Sequence, residues 1–428
     1  MRLLYLTQTF PPEPGPTLRP MEQARCLARH GHRVRVLTTF PYYPTGLLNA
    51  EDRVLRRHEK TDDFELLRVA SVTAANRGAW RRMASFGSFS AHAALAGLGG
   101  PPPDVVIASV PNPGTEAAGL FLARSFGVPF VLELRDLLPE SIQLAGFARV
   151  SSLYRVAERW YRAVYRRADA IVVPQAGMVD ILADLAGIDR RRLLFVPHGA
   201  DPERFRAADG GAIRRRLGIE HKFVVAYSGS FSRYYGIRRL IESAAHVLPA
   251  SRIHWMLIGA GPERSAVSDF IREADLSNVT LVDAVSPTRI ADWLAAADVC
   301  ISPILTRGAL SYAPERLTKL CDYLAMGKPI LAIEDEPVSG PFLEEIGAGY
   351  AVPWDSPDAI AAAVERLASN CEMRARFSAA ARRFAERELP RERTMQPLLQ
   401  WLESRTVSND ALTPAGAADG DESAPAIG

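Results

Sequence analysis

Apolar positions along this chain of 428 residues follow two rhythms. Short continuous runs read as buried strands: "LLYLTQ" at the start, then "RVRVLTTF" after Gly31. Between them Met21, Ala24, Leu27 and Ala28 recur at helical spacing, from Pro20 to His30. "DVVIASV" (104–110), "PFVLEL" (129–134), "AIVVP" (170–174) and "LLFVP" (193–197) continue the series, with helical stretches between them. The pattern restarts at "FVVAYSGSF" (223–231) and runs through "WMLIGAGP", "VTLVDA", "VCISP" and "PILAI". Strands alternating with helices predict an α/β fold of parallel sheets covered on both faces. The restart predicts two doubly wound halves, joined by a linker near residues 200–222. Such sheets bind ligands beyond the carboxyl ends of their strands, so two of them face to face would form a deep cleft. Residues 371–403 read as helices. From about 405 the chain turns small, polar and acidic and is expected to be disordered.

Length agrees with two or three domains, and the hydrophobic fraction of 48% is that of a globular protein. The net charge of +2 is unevenly spread: residues 1–200 carry 25 Lys+Arg against 18 Asp+Glu, a surplus the remainder reverses. That surplus suits an anionic ligand or surface but is too mild for nucleic acid. The four cysteines are scattered, which argues against both zinc and a disulfide framework. With no leader pattern and no long apolar window, the expected location is cytoplasmic.

Candidate chemistry gathers where strands end. The loop "TFPPEPGPTLRP" runs from a strand into a helix, whose free N–H groups suit a phosphate; Gly15 lets backbone approach it. The other reading is a plain Pro-rich connector. "AYSGSFSRYYGIRRL" repeats the arrangement in the second half, with Gly229, Ser230 and Arg233 in the loop. Arg233 is either a phosphate partner or a surface residue. "ELRDLLPES" crowds Glu133, Arg135, Asp136 and Glu140 behind a buried strand, as site residues or as a local cap and ion pair. His198, in "VPHGADPERF", lies in the loop leaving the first half, a cleft candidate or a turn. In "PERLTKLCDYLAMGKP" a helix expected to open at Pro314 would set Glu315, Lys319 and Asp322 on one face. A solvated face with one ion pair is the alternative. Residues 77–98 mix arginines with Trp80, Phe86 and Phe89, either a basic surface that meets a membrane or a packed helix. No His and carboxylate set has metal-ligand spacing.

Taken together, these segments resemble the retaining glycosyltransferases of family four, with the GT-B fold, and within them the bacterial enzymes of O-antigen, colanic acid and capsule-type polysaccharides. The opening "TFPPEPGPTLRPMEQARCLARHGHRVRVLTTFPYYPTG", "FVLELRDLLPES", "LLFVPHGADPERF" and "LTKLCDYLAMGKPILA" carry the likeness, in order, and it extends to about residue 403. The resemblance implies two Rossmann-like domains, 1–204 on the acceptor side and 205–385 on the nucleotide-sugar side. A helix at 386–404 would pack back on the first, and a tail would follow from 405 to 428. It further implies a nucleotide-sugar donor, a UDP-sugar by expectation, and a glycan or undecaprenyl-diphosphate-linked acceptor. Peripheral contact with anionic membrane is expected, and no required metal or other cofactor.

The resemblance also assigns roles. Gly15 and Arg19 would lie beside the donor diphosphate, with Gly229, Ser230 and Arg233 facing it from the second domain. Asp136 would sit near the reacting centre, with Glu140 on the acceptor side. Lys319 would add positive charge and Asp322 would bind the ribose hydroxyls. Departures accompany the match. Many relatives carry two glutamates with seven residues between them, and Glu315, which would take the catalytic place near the sugar, is one place late relative to Asp322. Ser230 and Tyr235 stand where relatives carry Arg and Lys, leaving Arg233, Lys319 and Arg316 to meet the phosphate charge. His198 replaces a usual asparagine. A sugar-nucleotide epimerase of the same fold and a non-catalytic sugar-nucleotide-binding scaffold are the alternatives.

Overall fold

The computed structural model describes residues 1–13, 18–42, 46–73, 79–110, 113–139, 152–184, 186–232, 235–247, 252–305 and 317–410. Its first sheet has eight strands: β1 (Arg2–Thr7), β2 (Arg33–Thr39), β3 (Arg56–Lys60), β4 (Glu65–Val69), β5 (Val105–Val110), β6 (Phe130–Leu134), β7 (Ala170–Val173) and β8 (Leu193–Phe195). They lie in the order β3-β4-β2-β1-β5-β6-β7-β8, parallel except for the β3–β4 pair. The second sheet has six: β9 (Phe223–Ser228), β10 (Ile253–Ile258), β11 (Val279–Val282), β12 (Val299–Ile304), β13 (Ile330–Glu334) and β14 (Gly349–Pro353). Their order is β11-β10-β9-β12-β13-β14, and every pairing is parallel. Strand order reverses at β1/β5 and at β9/β12, the places where such sheets open a crevice.

The interior strands form from unbroken apolar runs because helices cover both faces; all six residues of β5 are buried. β3, β4 and β14 went unforeseen. β3 reads "RRHEK", an all-polar edge strand held by backbone pairing rather than by a core-facing stripe. Helices Ala79–Leu98, Thr115–Phe126 and Ser152–Arg167 cover one face of the first sheet, burying Phe89, Leu122 and Val164. Removing a side chain such as Phe89 from water is worth about 2–3 kcal/mol. Helix Leu18–Arg29 and the C-terminal helix Gln396–Asp410 cover the other, where Met395, Leu398, Leu399 and Leu402 join Leu3, Tyr5 and Leu27. In the second domain helices Thr318–Met326 and Cys371–Glu388 lie on one face, Ile237–Ala245 and Pro357–Ser369 on the other.

The chain passes between domains twice, and the two passages touch. Ala200 donates its N–H to the carbonyl of Leu389 at 3.0 Å. A Cβ on Gly199 would stand 2.5 Å from that same oxygen, so only glycine fits the crossing. The segment 200–222, expected as a linker, instead carries helices Pro202–Arg206 and Gly211–Leu217, whose Phe205 and Ile213 are buried in the second core. The C-terminal helix also runs past the expected boundary at 405 to Asp410, since no Gly or Pro interrupts it there. The rest of the expected tail lies outside the described residues. Among the described residues no helix is long and apolar enough to cross a membrane.

Candidate active site

Glu133, the fourth residue of β6, is buried and anchors the first-domain side of the crevice. Its carboxylate accepts from Tyr5 Oη at 2.6 Å, Gln23 Nε2 at 2.7 Å and Arg19 Nε at 2.8 Å. Burial alone would raise its pKa; the Arg19 guanidinium and these hydrogen bonds overcome that and hold it down at about 2. The remaining nitrogens of Arg19 donate to the carbonyls of Val196 (2.9 Å) and Pro197 (3.1 Å). Arg19 is thus sealed inside the domain, a placement that differs from the expected one beside a diphosphate. Its fork is spent on fixing the end of β8, and the partner of Glu133 is this distant arginine rather than a local one.

That anchored segment delivers His198. Burial, together with the positive charges of Arg19, Arg135 and Arg391, pushes the imidazole pKa well below its ordinary value. His198 is therefore neutral at physiological pH, and its Nδ1 stands 3.5 Å from Thr318 Oγ1 across the crevice. Its carbonyl accepts a weak bond from Cys321 Sγ at 3.5 Å. Asp136 is exposed just beyond β6. Tyr235 of the second domain has its phenol pKa raised by burial and then by the Asp136 charge, which sets the two on facing walls.

On the second-domain side two glycine loops interlock past β9 and β10. Phe231 N–H donates to Ala260 O at 2.9 Å, and Glu263 N–H to Phe231 O at 3.0 Å. A Cβ on Gly259, at φ 156°, would stand 1.9 Å from the carbonyl oxygen of Gly229. Tyr227 Oη donates to Ser230 O at 2.7 Å, leaving Ser230 exposed at the crevice edge.

Helix Thr318–Met326 completes the wall. Leu317 has extended backbone (ψ 149°), so the helix starts at Thr318, four residues later than the sequence pattern predicts. Glu315, expected on the same face as Lys319 and Asp322, lies outside the described residues. Among the described residues no side chain caps this terminus, and its first N–H groups suit an anion. Lys319 Nζ lies 3.5 Å from the centroid of the Tyr235 ring and 5.0 Å from that of Tyr227. Its hydrogen-bond contact is Pro303 O, at 3.5 Å. Among the described residues no carboxylate pairs with it, and burial pushes its pKa well below the usual lysine range. The Tyr235 ring carries Lys319 on its face. Asp322, one turn on, has its carboxyl raised to about 7, by burial first, with Arg204 opposing and Glu22 of the first domain adding to the rise. Glu334 ends β13 and accepts from the N–H groups of Ser339 (2.8 Å) and Gly340 (3.0 Å), fixing the next loop.

The structure thus brings Asp136, His198, Gly229, Ser230, Lys319 and Asp322 to one crevice. Gly15, Glu140, Arg233, Glu315 and Arg316 lie outside the described residues. Sequence reasoning does not single out Tyr5, Gln23, Gly259 or Glu334. A tyrosine inside an apolar strand reads as core, and "IGAGP" reads as the tail of a strand. The paired glycines right after a buried run are the signal that was available. Among the described residues no group of three His, Cys, Asp or Glu is placed to hold a metal ion.

Two parallel-sheet domains around such a crevice define the GT-B fold, and comparison with solved structures agrees. Sucrose-phosphate synthase from Thermosynechococcus elongatus superposes with a TM-score of 0.73 at 17% identity, over 96% of this chain and 99% of that one. HepE from Anabaena, solved with UDP-glucose, gives 0.68 at 16% identity, over 94% and 100%. The family model described as "Glycosyl transferase 4-like domain" matches residues 15–199, and "Glycosyl transferases group 1" matches residues 222–370. A putative colanic acid biosynthesis glycosyl transferase, WcaI of Escherichia coli K12, is 23% identical over 390 residues, 88% of this chain and 93% of its own. The chain belongs to the family-four glycosyltransferases. It is a glycosyltransferase of glycan biosynthesis.

Proposed function

We propose that the chain transfers a sugar, with retention, from a UDP-sugar to a lipid-linked or growing glycan of a cell-surface polysaccharide. The observation that carries this reading is Lys319, a half-buried cation with no carboxylate partner among the described residues, beside the start of helix Thr318–Met326, whose N-cap Leu317 offers no side-chain acceptor. A diphosphate supplies the charge both lack. The leaving nucleoside diphosphate gains negative charge as the glycosidic bond breaks, so these fixed groups bind the transition state more tightly than the ground state. Asp322 accepts from the ribose hydroxyls, and Asp136 faces the reacting sugar from the first domain. Arg19 and Glu133 position the wall that carries His198. The diphosphate charge is met by the protein, without a divalent ion. The colanic acid name of the Escherichia coli relative and the UDP-glucose in the Anabaena structure support the substrate classes.

The test is UDP release from a panel of UDP-sugars, with and without a lipid-linked acceptor, in buffer with and without EDTA. Acceptor-dependent release that survives the chelator, with the product anomer matching the donor by NMR, is the expected result. Epimer formation from donor alone, UDP binding without turnover, or an inverted product would each overturn it.

A further inference from the structure

The second sheet parts between β9 and β12, and a tyrosine fills the gap. β12 pairs with β9 only at Val299↔Val225 and Cys300↔Ala226, then follows β13 for the rest of its length. Backbone groups along a strand point alternately to its two neighbours. Phe223 and Gly229 donate their N–H groups to Arg252 O and Ile258 O, so the odd-numbered residues of β9 face β10. Ser228 therefore faces the β12 side, two residues past the last rung there. Its N–H donates to Tyr323 Oη at 2.9 Å, and the same hydroxyl donates to Ser228 O at 3.3 Å. One phenol stands in for the departed strand.

Where that hydroxyl binds matters more than its burial. A buried phenol needs a partner, and any carbonyl would serve. Tyr323, fully buried, instead holds both backbone groups of the residue before Gly229. Tyr227 grips the loop further on, donating to Ser230 O at 2.7 Å. On helix Thr318–Met326, Tyr323 stands four residues after Lys319, so the two project from one face. That face meets the end of β9, since Lys319 Nζ lies 5.0 Å from the centroid of the Tyr227 ring. The amine and the glycine loop are thus tied together through one turn of helix and one hydroxyl.

We propose that Tyr323 is a positioning residue for the nucleotide diphosphate: it holds the Gly229–Ser230 loop at a fixed reach from Lys319, so that loop and amine meet one ligand without rearrangement. This rests on the donor reading above, and the test separates the two. Tyr323→Phe removes only the hydroxyl. Amide exchange over residues 226–232 of the free protein, followed by mass spectrometry, should quicken about tenfold as the loop loses its tie. UDP affinity should fall about tenfold, because the loop must then be ordered by the ligand. Uridine, which lacks the diphosphate, should bind the variant as it binds wild type. In turnover the loss should appear in the donor KM and leave the acceptor KM unchanged. Tyr350→Phe, which removes a hydroxyl bonded to Ala363 O at 3.2 Å in the same domain, should leave UDP affinity alone whatever it does to melting. An equal loss for uridine, UDP affinity within about twofold of wild type, or unchanged exchange over 226–232 would overturn the proposal. A wild-type chain that binds no UDP would end the donor reading and this proposal with it, whereas UDP binding with unaltered exchange in the variant would end this proposal alone.

Discussion

Lys319→Met isolates the charge on which the donor reading turns. In the free protein Nζ contacts the faces of Tyr235 and Tyr227 and one carbonyl, so the variant gives up a cation–π contact of about 1 kcal/mol and is relieved of a buried charge. The two nearly offset, and thermal stability should stay close to wild type. Binding is different. A charge-assisted hydrogen bond to a diphosphate oxygen contributes about 1.5–3 kcal/mol, so UDP affinity should fall about 10- to 150-fold. Loss of a preorganised donor to the growing charge of the leaving group should cost kcat a further factor of about 100–1,000. pH supplies an internal control. Only the protonated amine binds the diphosphate, and burial lowers its pKa, so wild-type affinity falls as pH rises through that lowered value. The variant should be flat over the same range. Calorimetric titration with UDP from neutral to alkaline pH reads both effects. A dissociation constant within twofold of wild type, with unchanged kcat, would refute the reasoning.

Glu133→Gln should destabilise the first domain by about 3–5 kcal/mol, since it leaves the buried Arg19 without its counter-charge; urea unfolding measures it. Because the Glu133 pKa is depressed when folded, its contribution is full above the unfolded value of about 4.3 and is lost as pH falls towards 2. The acid limb of the melting profile should flatten in the variant. Asp322→Asn should act in the opposite sense: with the carboxyl raised to about 7 in the fold against about 3.9 unfolded, wild type loses stability as pH rises between those values, so the variant's melting advantage is absent near pH 3, partial at pH 5 and full by pH 8. The same substitution should raise the donor KM. Gly259→Ala forces its Cβ onto the Gly229 carbonyl; donor KM should rise and melting temperature drop, whereas Gly31→Ala, with open space around it, should leave KM alone.

The fold was legible wherever a strand is buried on both faces, because an unbroken apolar run such as "VVIASV" has few other uses. β3 escaped because an edge strand of "RRHEK" has no core-facing stripe. Of the site, the glycine loop at Gly229 and the pair Lys319 and Asp322 were legible from local order. The tie from Arg19 to Glu133 was not, since it spans 114 positions and only the folded sheet brings its partners together. Leu317 misled in a specific way: nothing in its side chain announces an extended backbone, so the helical rhythm seemed to begin at Pro314.

The paired crossings at Gly199 and Leu389 make the second domain an insertion into the first. Until Met395, Leu398 and Leu402 have been synthesised, the face of the first sheet built around Leu3 and Leu27 is covered only in part, by helix Leu18–Arg29. During translation the second domain, whole by about residue 389, can complete its core first, while the amino-terminal domain waits with part of one face uncovered.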